Sequence, residues 1–330
     1  MAELYPLFFK PVYKDYLWGG RNLERFGRTP PDEGVIAESW EISGHQDGLT
    51  RVINGPYAGK TLPDLVDQLG EALLGSNNQW ALRRNKFPLL VKLLDANKRL
   101  SVQVHPEDDY ARKHEGDELG KTEMWVVLEA KPDAAIIYGL SKKASPEEFK
   151  QSVETGKLEP LLGKIPIKKG DHICVPSGTL HAILAGSVLI EIQQNSNTTY
   201  RVYDWDRVGK DGTPRELHLA KALDVIDFSQ VDVSLPVPEP VANKSAYSCE
   251  RLCENKYFVT DRIIMGAGTQ YTGNCNGETM EIWGVIDGAA EIGGFPMKAI
   301  QFVLLPAKMG RFSIFALQRT TLLRTFTAFS

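Results

Sequence analysis

Hydrophobic and polar residues alternate along much of this 330-residue chain, in short segments divided by turn residues. Alternation of this kind predicts strands with one buried face. Because turns divide most of these segments, the pattern favours antiparallel sheets in a sandwich or barrel. Residues 35–55 are predicted to form strands, as are FPLLVKLLDA (87–96), RLSVQVHP (99–106), EMWVVLEA (123–130), AAIIYGL (134–140), DHICVPSG (171–178), LHAILAGSVLIEIQQ (180–194) and TTYRVYDW (198–205).

Two segments have a helical period instead. Residues 61–84 carry an apolar stripe of leucine and valine after Thr61, the predicted N-cap. Gly70 and Gly75 weaken this helix, because glycine lowers helix propensity. Residues 145–165 begin with Ser145 as N-cap, followed by proline at the first helical position, where its missing N–H is tolerated.

A proline-containing segment indicates a division of the chain. Residues 229–245, SQVDVSLPVPEPVANKS, hold three prolines in polar surroundings, and we predict a linker at 231–245. We therefore expect one domain over residues 1–230, which contains both helical segments. Residues 246–330 again show short alternating segments and predict a second, smaller all-β domain.

Composition narrows the functional class. The net charge is −4, and no block of lysine and arginine is interleaved with aromatic residues, so we expect no nucleic-acid partner. The chain shows neither a signal-peptide pattern nor an apolar run of membrane-spanning length, and its four cysteines are too few for the disulfide framework of a small secreted protein. These features predict a cytoplasmic protein that does not enter the membrane.

Three segments carry the candidate chemistry. In RLSVQVHP, the side chains of Ser101, Gln103 and His105 share one face of the predicted strand. Glu123 begins an apolar strand, and His181 follows a Pro-x-Gly turn. Two imidazoles, a carboxylate and an amide oxygen suit Zn²⁺ or another first-row metal. Alternation by itself favours a solvated strand face for Ser101, Gln103 and His105. Four polar residues at matching strand ends are less expected on that interpretation.

The spacing of these residues resembles the cupin motifs. Gly170, Pro176, Gly178 and His181 match the second motif, whereas the first motif has Gln103 where a histidine is usual. That glutamine, within LSVQVHPEDDYA, is similar to the type I mannose-6-phosphate isomerases. YLWGGRNL, ESWEIS, GKTEMWVVLEA and YRVYDWDR resemble the short bacterial branch of that family, and the resemblance is good over roughly residues 5–225.

The resemblance implies a fold and a site. It implies a mainly β protein with a cupin, or jelly-roll, barrel that carries helical insertions, and a second, degenerate cupin-like β domain. It also implies one Zn²⁺ per chain, held by Gln103, His105, Glu123 and His181. The expected reaction is the interconversion of mannose 6-phosphate and fructose 6-phosphate, so the expected partner is a small sugar phosphate.

Further residues follow from the resemblance and from the chemistry. The resemblance implies that Ser101 and Lys121 line the substrate pocket and that Arg201 is catalytically important. Longer members of the family carry a lysine six residues after this arginine; here Arg207 has that spacing and is expected to contact the phosphate. An aldose–ketose isomerase moves a proton between C1 and C2, and Lys121 and Glu191 are the candidates for that transfer.

Two other classes compete with this hypothesis. A cupin dioxygenase would use a histidine and carboxylate iron site, against which Gln103 argues. A sugar-phosphate sensor without activity would not need Lys121 and Arg201. The sequence leaves the identity of the base open, and it is compatible with a monomer or a small homo-oligomer.

Overall fold

A computed structural model describes residues 3–209 and 212–327 of the chain. Its contacts divide the chain into two units, neither of which is continuous in sequence. The first unit contains the residues up to Val12, Trp40–Val91 and those from Val237 onward, and the second contains Tyr13–Ser39 and Lys92–Pro236. The chain leaves the second unit inside the predicted linker. The division into domains over 1–230 and 246–330 stays a prediction.

The described residues are organised mainly as strands, which confirms the predicted fold class. Within 35–55, the strands are Glu38–Ser43 and Arg51–Val52. In chain order the strands are β1 (Phe9–Lys10), β2 (Val12–Lys14), β3 (Glu38–Ser43), β4 (Arg51–Val52), β5 (Leu89–Ala96), β6 (Val102–Val104), β7 (Glu123–Ala130), β8 (Ala135–Leu140), β9 (Leu162–Pro166), β10 (His172–Val175), β11 (His181–Ile183), β12 (Ser187–Gln194), β13 (Tyr200–Tyr203), β14 (Glu239–Asn243), β15 (Tyr247–Glu254), β16 (Phe258–Met265), β17 (Gln270–Cys275), β18 (Glu281–Asp287), β19 (Ala289–Ile292), β20 (Phe295–Lys298), β21 (Gln301–Leu305), β22 (Gly310–Ala316) and β23 (Thr320–Thr327).

The helices are shorter than the sequence pattern predicts. The segment 61–84 is interrupted at Gly70 and Gly75, which both have positive φ and end successive helices. The segment 145–165 is helical only in its first half, and its last residues join a strand. The first helix of each segment begins after its predicted N-cap, Thr61 or Ser145. Each N-cap residue forms a capping box. The helices are α1 (Leu62–Leu69), α2 (Glu71–Leu74), α3 (Gln79–Arg83), α4 (Asp108–His114), α5 (Pro146–Glu154) and α6 (Leu219–Val225).

Two sheets form the second unit. One has the strand order β10-β7-β12-β5-β3-β2, and its strands β3 and β5 carry the chain across the unit boundary; the other has the order β13-β6-β11-β8-β9. An apolar cluster that includes Trp125, Ile136, Ile183 and Leu189 fills the space between them. On the outer face of the five-stranded sheet, a second cluster includes residues of α5 and α6. The sheets thus enclose an interior that is apolar along much of its length.

The first unit has the same kind of sandwich. Its six-stranded sheet has the order β14-β15-β16-β23-β18-β21, and its four-stranded sheet has the order β17-β22-β19-β20. A continuous apolar cluster packs between them, with Trp283 at 0% exposure among its members. A short pair, β1 with β4, completes the sheets of this unit. No helix of the described ranges is long and apolar enough to cross a membrane.

Candidate functional site

Strand β6 turns its polar face toward the interior of the second unit. Val102 and Val104 belong to the outer apolar cluster beneath α5 and α6. Because side chains alternate along a strand, Gln103 points to the opposite side. Ser101 and His105, which flank the strand, are 4% and 1% exposed. These burials exclude the solvated-face interpretation of this segment.

Strand pairing lines up three polar residues across the five-stranded sheet. Gln103 on β6 is the direct antiparallel partner of His181 on β11 and of Arg201 on β13. Directly paired residues point to the same face of a sheet. The three side chains therefore form a row on the interior face, although they are separated by almost a hundred residues in sequence.

Glu123 faces this row from the other sheet. It begins β7, where Val175 and Gln193 are its neighbours on the flanking strands. Its carboxylate lies 3.5 Å from His105 Nε2 and 3.3 Å from His181 Nε2. One ligand atom from each of these three side chains lies within 4.8 Å of the others, and all three residues are buried. This group is the candidate metal site.

Hydrogen bonds to backbone carbonyl oxygens orient both imidazoles so that each Nε2 faces Glu123. His105 Nδ1 lies 2.8 Å from the carbonyl oxygen of Thr198, and His181 Nδ1 lies 2.9 Å from that of Thr179. A carbonyl oxygen only accepts, so each Nδ1 carries the proton and each Nε2 keeps its lone pair. Such backbone contacts are the usual second-sphere support of a metal-bound histidine.

The amide of Gln103 completes the donor set. Its Nε2 lies 3.3 Å from His181 Nε2, and Oε1 accepts a hydrogen bond from Ser101 at 3.4 Å. The two ends of an amide are assigned from such contacts, and a rotation of the terminal group by half a turn exchanges them. Rotation of this group brings the oxygen next to the His181 imidazole, so Gln103 can be the fourth ligand.

The ionisation of the cluster also fits a metal site. Burial lowers the pKa of His105 well below its usual range and that of His181 to about 4, which keeps both imidazoles neutral. Burial, with the nearby Glu191, raises the pKa of Glu123 to about 7. Lys121 is the ion-pair partner of Glu123 Oε2, whereas Oε1 has no hydrogen-bond donor among the described residues. A divalent cation would compensate these buried oxygens, and two neutral imidazoles, a carboxylate and an amide are ligands that Zn²⁺ accepts.

A cavity of about 270 Å³ opens beside the cluster, entirely within the second unit. Its size is near the lower end of small-molecule pockets, at roughly 300 Å³. The wall contains two aromatic residues, two leucines and an unusual number of polar groups. The polar and aromatic residues of the wall are Tyr16, Trp18, Glu38, Lys92, Ser101, Gln103, Lys121, Glu191, Asn197, Thr199, Arg201 and Arg215.

Four of the five residues predicted beyond the ligands, Ser101, Lys121, Glu191 and Arg201, lie on this wall. The Lys121 ammonium group lies 2.7 Å from Glu123 Oε2 and 3.0 Å from His105 Nε2. Glu191 accepts a hydrogen bond of 3.0 Å from the indole of Trp125. Although burial acts to raise the pKa of Glu191, Lys121 and Lys92 lower it, so the carboxylate is ionised. The predicted neighbours of the metal ligands are therefore in one cavity.

Arg207, the fifth, does not line the cavity, and its contact with a phosphate stays a prediction. Its guanidinium donates hydrogen bonds to the Asp204 carboxylate and to the carbonyl oxygens of Asp204 and Arg99. The residue that reaches the wall from this loop is Arg215, which also binds Asp204. The spacing after Arg201 could not reveal this, because the loop folds back and brings a more distant arginine to the cavity.

Sequence reasoning also missed a buried charge cluster on the wall. Lys92 is 2% exposed, and its ammonium group lies 3.4 Å from Glu38 and 3.3 Å from Glu191. Burial opposes the charge of Lys92, but the two carboxylates outweigh burial and raise its pKa. One signal was available: Lys92 interrupts the apolar run FPLLVKLLDA, and a lysine in a fully buried strand requires partners.

Comparison with known proteins is consistent with this geometry. The family model for the catalytic domain of type I phosphomannose isomerase matches residues 7–136. The chain is 48% identical over 241 residues to the probable mannose-6-phosphate isomerase GmuF of Bacillus subtilis, which covers 72% of this chain and 74% of that protein. It is 39% identical over 314 residues to the putative mannose-6-phosphate isomerase YvyI of the same organism, with coverage of 94% and 95%.

Solved structures give the same result. The crystal structure of the mannose 6-phosphate isomerase from B. subtilis matches with a TM-score of 0.86 and 37% identity, and the match covers 97% of this chain and 99% of that one. This match confirms the predicted cupin fold. A phosphomannose isomerase from Salmonella typhimurium, at 16% identity and a TM-score of 0.78, shares the fold. The chain therefore belongs to the type I phosphomannose isomerase family.

Proposed function

We propose that this chain interconverts mannose 6-phosphate and fructose 6-phosphate by proton transfer through an enediol or enediolate, with one Zn²⁺ held by Gln103, His105, Glu123 and His181. A single observation carries the proposal: the buried group of His105, Glu123 and His181 lies beside a cavity that Gln103 lines, and the same wall presents Lys121, Glu191 and Arg201. The names of the two B. subtilis relatives, both described as mannose-6-phosphate isomerases, support the choice of substrate.

The donor set supports a Lewis-acid role for the metal. When bound, Zn²⁺ would polarise the substrate carbonyl and favour negative charge on its oxygen. Gln103 contributes a neutral ligand, so the four protein ligands carry only the charge of Glu123. A second carboxylate in its place would reduce the net positive charge of the site.

The proton that moves between C1 and C2 needs a group on the cavity wall. Glu191 is ionised and lies on the wall, so its carboxylate can accept the proton. Lys121 is the second group that reaches the same space, at 5% exposure. We propose that these two residues carry out the proton transfer and that Ser101 orients the substrate next to Gln103.

Arg201 is proposed to stabilise the negative charge of the enediolate. It lies next to Gln103 through strand pairing, and its Nη1 donates a hydrogen bond to the carbonyl oxygen of Glu216 at 2.8 Å. Its Nε is buried without an acceptor among the described residues. A guanidinium stays protonated, so it is a poor base but a good donor toward an oxyanion.

A coupled assay tests the proposed function. Fructose 6-phosphate formed from mannose 6-phosphate is measured for the zinc-loaded protein, the chelated protein and the chelated protein after zinc is restored. We expect activity only in the first and third. A zinc-loaded, folded protein without turnover would reject the isomerase proposal, and full activity after verified metal removal would reject the zinc site. His45→Gln is a matched control, since His45 is a buried histidine of the first unit.

A further inference from the structure

Asp204, in the loop after β13, lies near three arginines: Arg201 on the strand, and Arg207 and Arg215 in the loop. Asp204, which is 5% exposed, binds both Arg207 and Arg215. Arg201 lies close enough that the Arg215 guanidinium, together with burial, lowers the pKa of Arg201. The Glu216 carboxylate is also near Arg201, so three guanidiniums meet two carboxylates and this corner keeps an excess positive charge. Like charges held together are unfavourable unless an anion is present to compensate them.

Asp204 fixes the orientation of Arg215. The guanidinium of Arg215 donates from Nε to one carboxylate oxygen at 2.9 Å and from Nη2 to the other at 2.5 Å. This fork uses one edge of the planar group and turns the other edge away from Asp204. No acceptor in the described ranges takes a hydrogen bond from Nη1 of Arg215, and Arg215 lines the cavity. Arg215 is thus a preorientated donor with free N–H groups.

The positions of the two wall arginines differ. Arg201 sits on β13, directly paired with Gln103 of the donor set. Arg215 is held by the loop that follows, through Asp204. A sugar phosphate has its carbonyl at one end and its phosphate at the other, so the two ends require two different sites. If the carbonyl end of the substrate binds at the donor set, the phosphate end lies toward the loop that holds Arg215.

We propose that Arg215 is the residue that recognises the phosphate of the substrate, and that Asp204 is the positioning residue that aims it. This inference rests on the proposed function and deepens it, because it identifies the residue by which the enzyme distinguishes a phosphorylated sugar from the free sugar. Arg207 shares Asp204 but lies off the cavity wall, so it supports the loop without contacting substrate.

Steady-state kinetics with two substrates test the assignment. For Arg215→Met we expect the KM for mannose 6-phosphate to rise about 10- to 100-fold, the loss expected for a charge-assisted contact, with little change in kcat. The kcat/KM for free mannose should be unchanged. Arg215→Lys should recover part of the loss, and Asp204→Asn should raise the same KM because the fork is weakened.

Arg207→Met is the matched control, since it removes another arginine from the same carboxylate. It should leave the preference for mannose 6-phosphate over mannose unchanged. The inference is overturned if Arg207→Met, rather than Arg215→Met, raises the KM. It is equally overturned if Arg215→Met lowers kcat/KM for both sugars alike, or leaves the KM for the phosphorylated sugar unchanged.

A binding measurement separates this inference from the proposed function. Calorimetry with inorganic phosphate needs no turnover, so it applies even if the wild-type protein fails to isomerise mannose 6-phosphate. We expect weaker phosphate binding in Arg215→Met than in wild type and Arg207→Met. Equal binding by all three proteins would reject Arg215 as the phosphate site, whatever the outcome of the activity assay.

Discussion

At the scale of single residues, the wall of the cavity has two kinds of cation. Lys92 is neutralised by Glu38 and Glu191 at 3.3–3.4 Å, and Lys121 lies 2.7 Å from Glu123. Arg201 instead has a buried Nε with no acceptor in the part of the chain that the structure describes. An unmatched guanidinium beside the donor set is the feature expected of a group that meets negative charge only during the reaction.

Arg201→Met should therefore affect turnover rather than the fold. We expect kcat to fall on the order of a hundredfold to a thousandfold, the usual loss when an oxyanion donor is removed. Zinc content and the circular dichroism spectrum should match those of wild type. Arg262→Met is a suitable control, since Arg262 pairs with Glu250 in the first unit. Near-normal kcat would remove Arg201 from the mechanism.

Zinc binding should release a proton in a pH-dependent way. Glu123, with its pKa raised to about 7, is partly protonated at pH 6, whereas the pKa of His181 is about 4 and that of His105 is also low. A ligand must lose its proton to bind the metal. We expect release of up to one proton per zinc at pH 6 and little at pH 8, with weaker affinity at the lower pH.

Calorimetry in buffers of different ionisation enthalpy measures this release. Glu123→Gln removes the titrating carboxylate and should abolish the difference between the two pH values. Equal proton release at pH 6 and pH 8 by the wild-type protein would contradict the assignment of Glu123 as the titrating ligand.

The sequence revealed the residues that local patterns encode. Gln103, His105, Glu123 and His181 follow motif spacing and strand alternation, so they could be predicted. Arg215 and Asn197 have no such signal, because each reaches the cavity through a loop whose course depends on distant contacts. Arg207 was predicted from the family resemblance and its spacing after Arg201, whereas the arginine that the loop places on the wall is Arg215.

At the scale of elements, two hydrogen bonds between His218 and Arg201 join the start of α6 to β13. The N–H of His218 donates to the carbonyl oxygen of Arg201 at 2.7 Å, and the N–H of Arg201 donates to Nδ1 of His218 at 3.2 Å. Burial and the charge of Arg201 lower the pKa of His218, which keeps Nδ1 available as an acceptor. The side chain of His218 thus fixes the strand from which Arg201 reaches the cavity.

Two substitutions of His218 should differ in effect. His218→Ala removes the acceptor and should cost about 1 kcal/mol of unfolding free energy, the typical value of one hydrogen bond. His218→Asn keeps an acceptor oxygen near the position of Nδ1 and should lose less. Denaturant unfolding measures both, and kcat should fall in the same order. Identical behaviour of the two variants would show that the hydrogen bond contributes nothing.

Helices were harder to predict than strands. The capping residues Thr61 and Ser145 were recognisable, and the glycines that divide the first helical segment were visible in the sequence. The short helix α4 was not, because only Ala111 of its seven residues is buried and so no apolar stripe forms. Its existence depends on tertiary contacts, such as the hydrogen bond from the N–H of Gly120 to Asp108.

At the scale of the whole molecule, the grouping of segments could not be obtained from local pattern. Within the first unit, Leu7 bridges Leu304, and Ser76 donates a backbone hydrogen bond to Gly277. Contacts over two hundred residues in sequence leave no periodic signal. The proline-rich segment could be recognised because composition is local.

Zinc should stabilise the folded chain without being required for folding. The apolar clusters of both units do not involve the donor set, so the chelated protein should keep its secondary structure. At free zinc a hundredfold above Kd, linkage adds about 2.7 kcal/mol. In a chain of this length that corresponds to a Tm increase on the order of 5 °C.

Scanning calorimetry with zinc and with chelator measures this shift. His181→Ala, which removes one ligand, should show no zinc-dependent increase. Unfolding of the wild-type protein on chelation would mean instead that the metal is part of the folding core.

The buried group of Lys92, Glu38 and Glu191 has a consequence for how this protein can evolve. Removal of Lys92 leaves two buried carboxylates without the cation that they share, at a cost of about 3–5 kcal/mol. Such a loss consumes much of the stability of an ordinary domain. Substitutions of Lys92 are therefore eliminated by selection before any new activity can arise. Tyr16, at 37% exposure, and Arg215 at the loop carry no such penalty. Divergence toward other sugars should then begin at Tyr16 and Arg215, while Lys92 stays the same in descendant proteins.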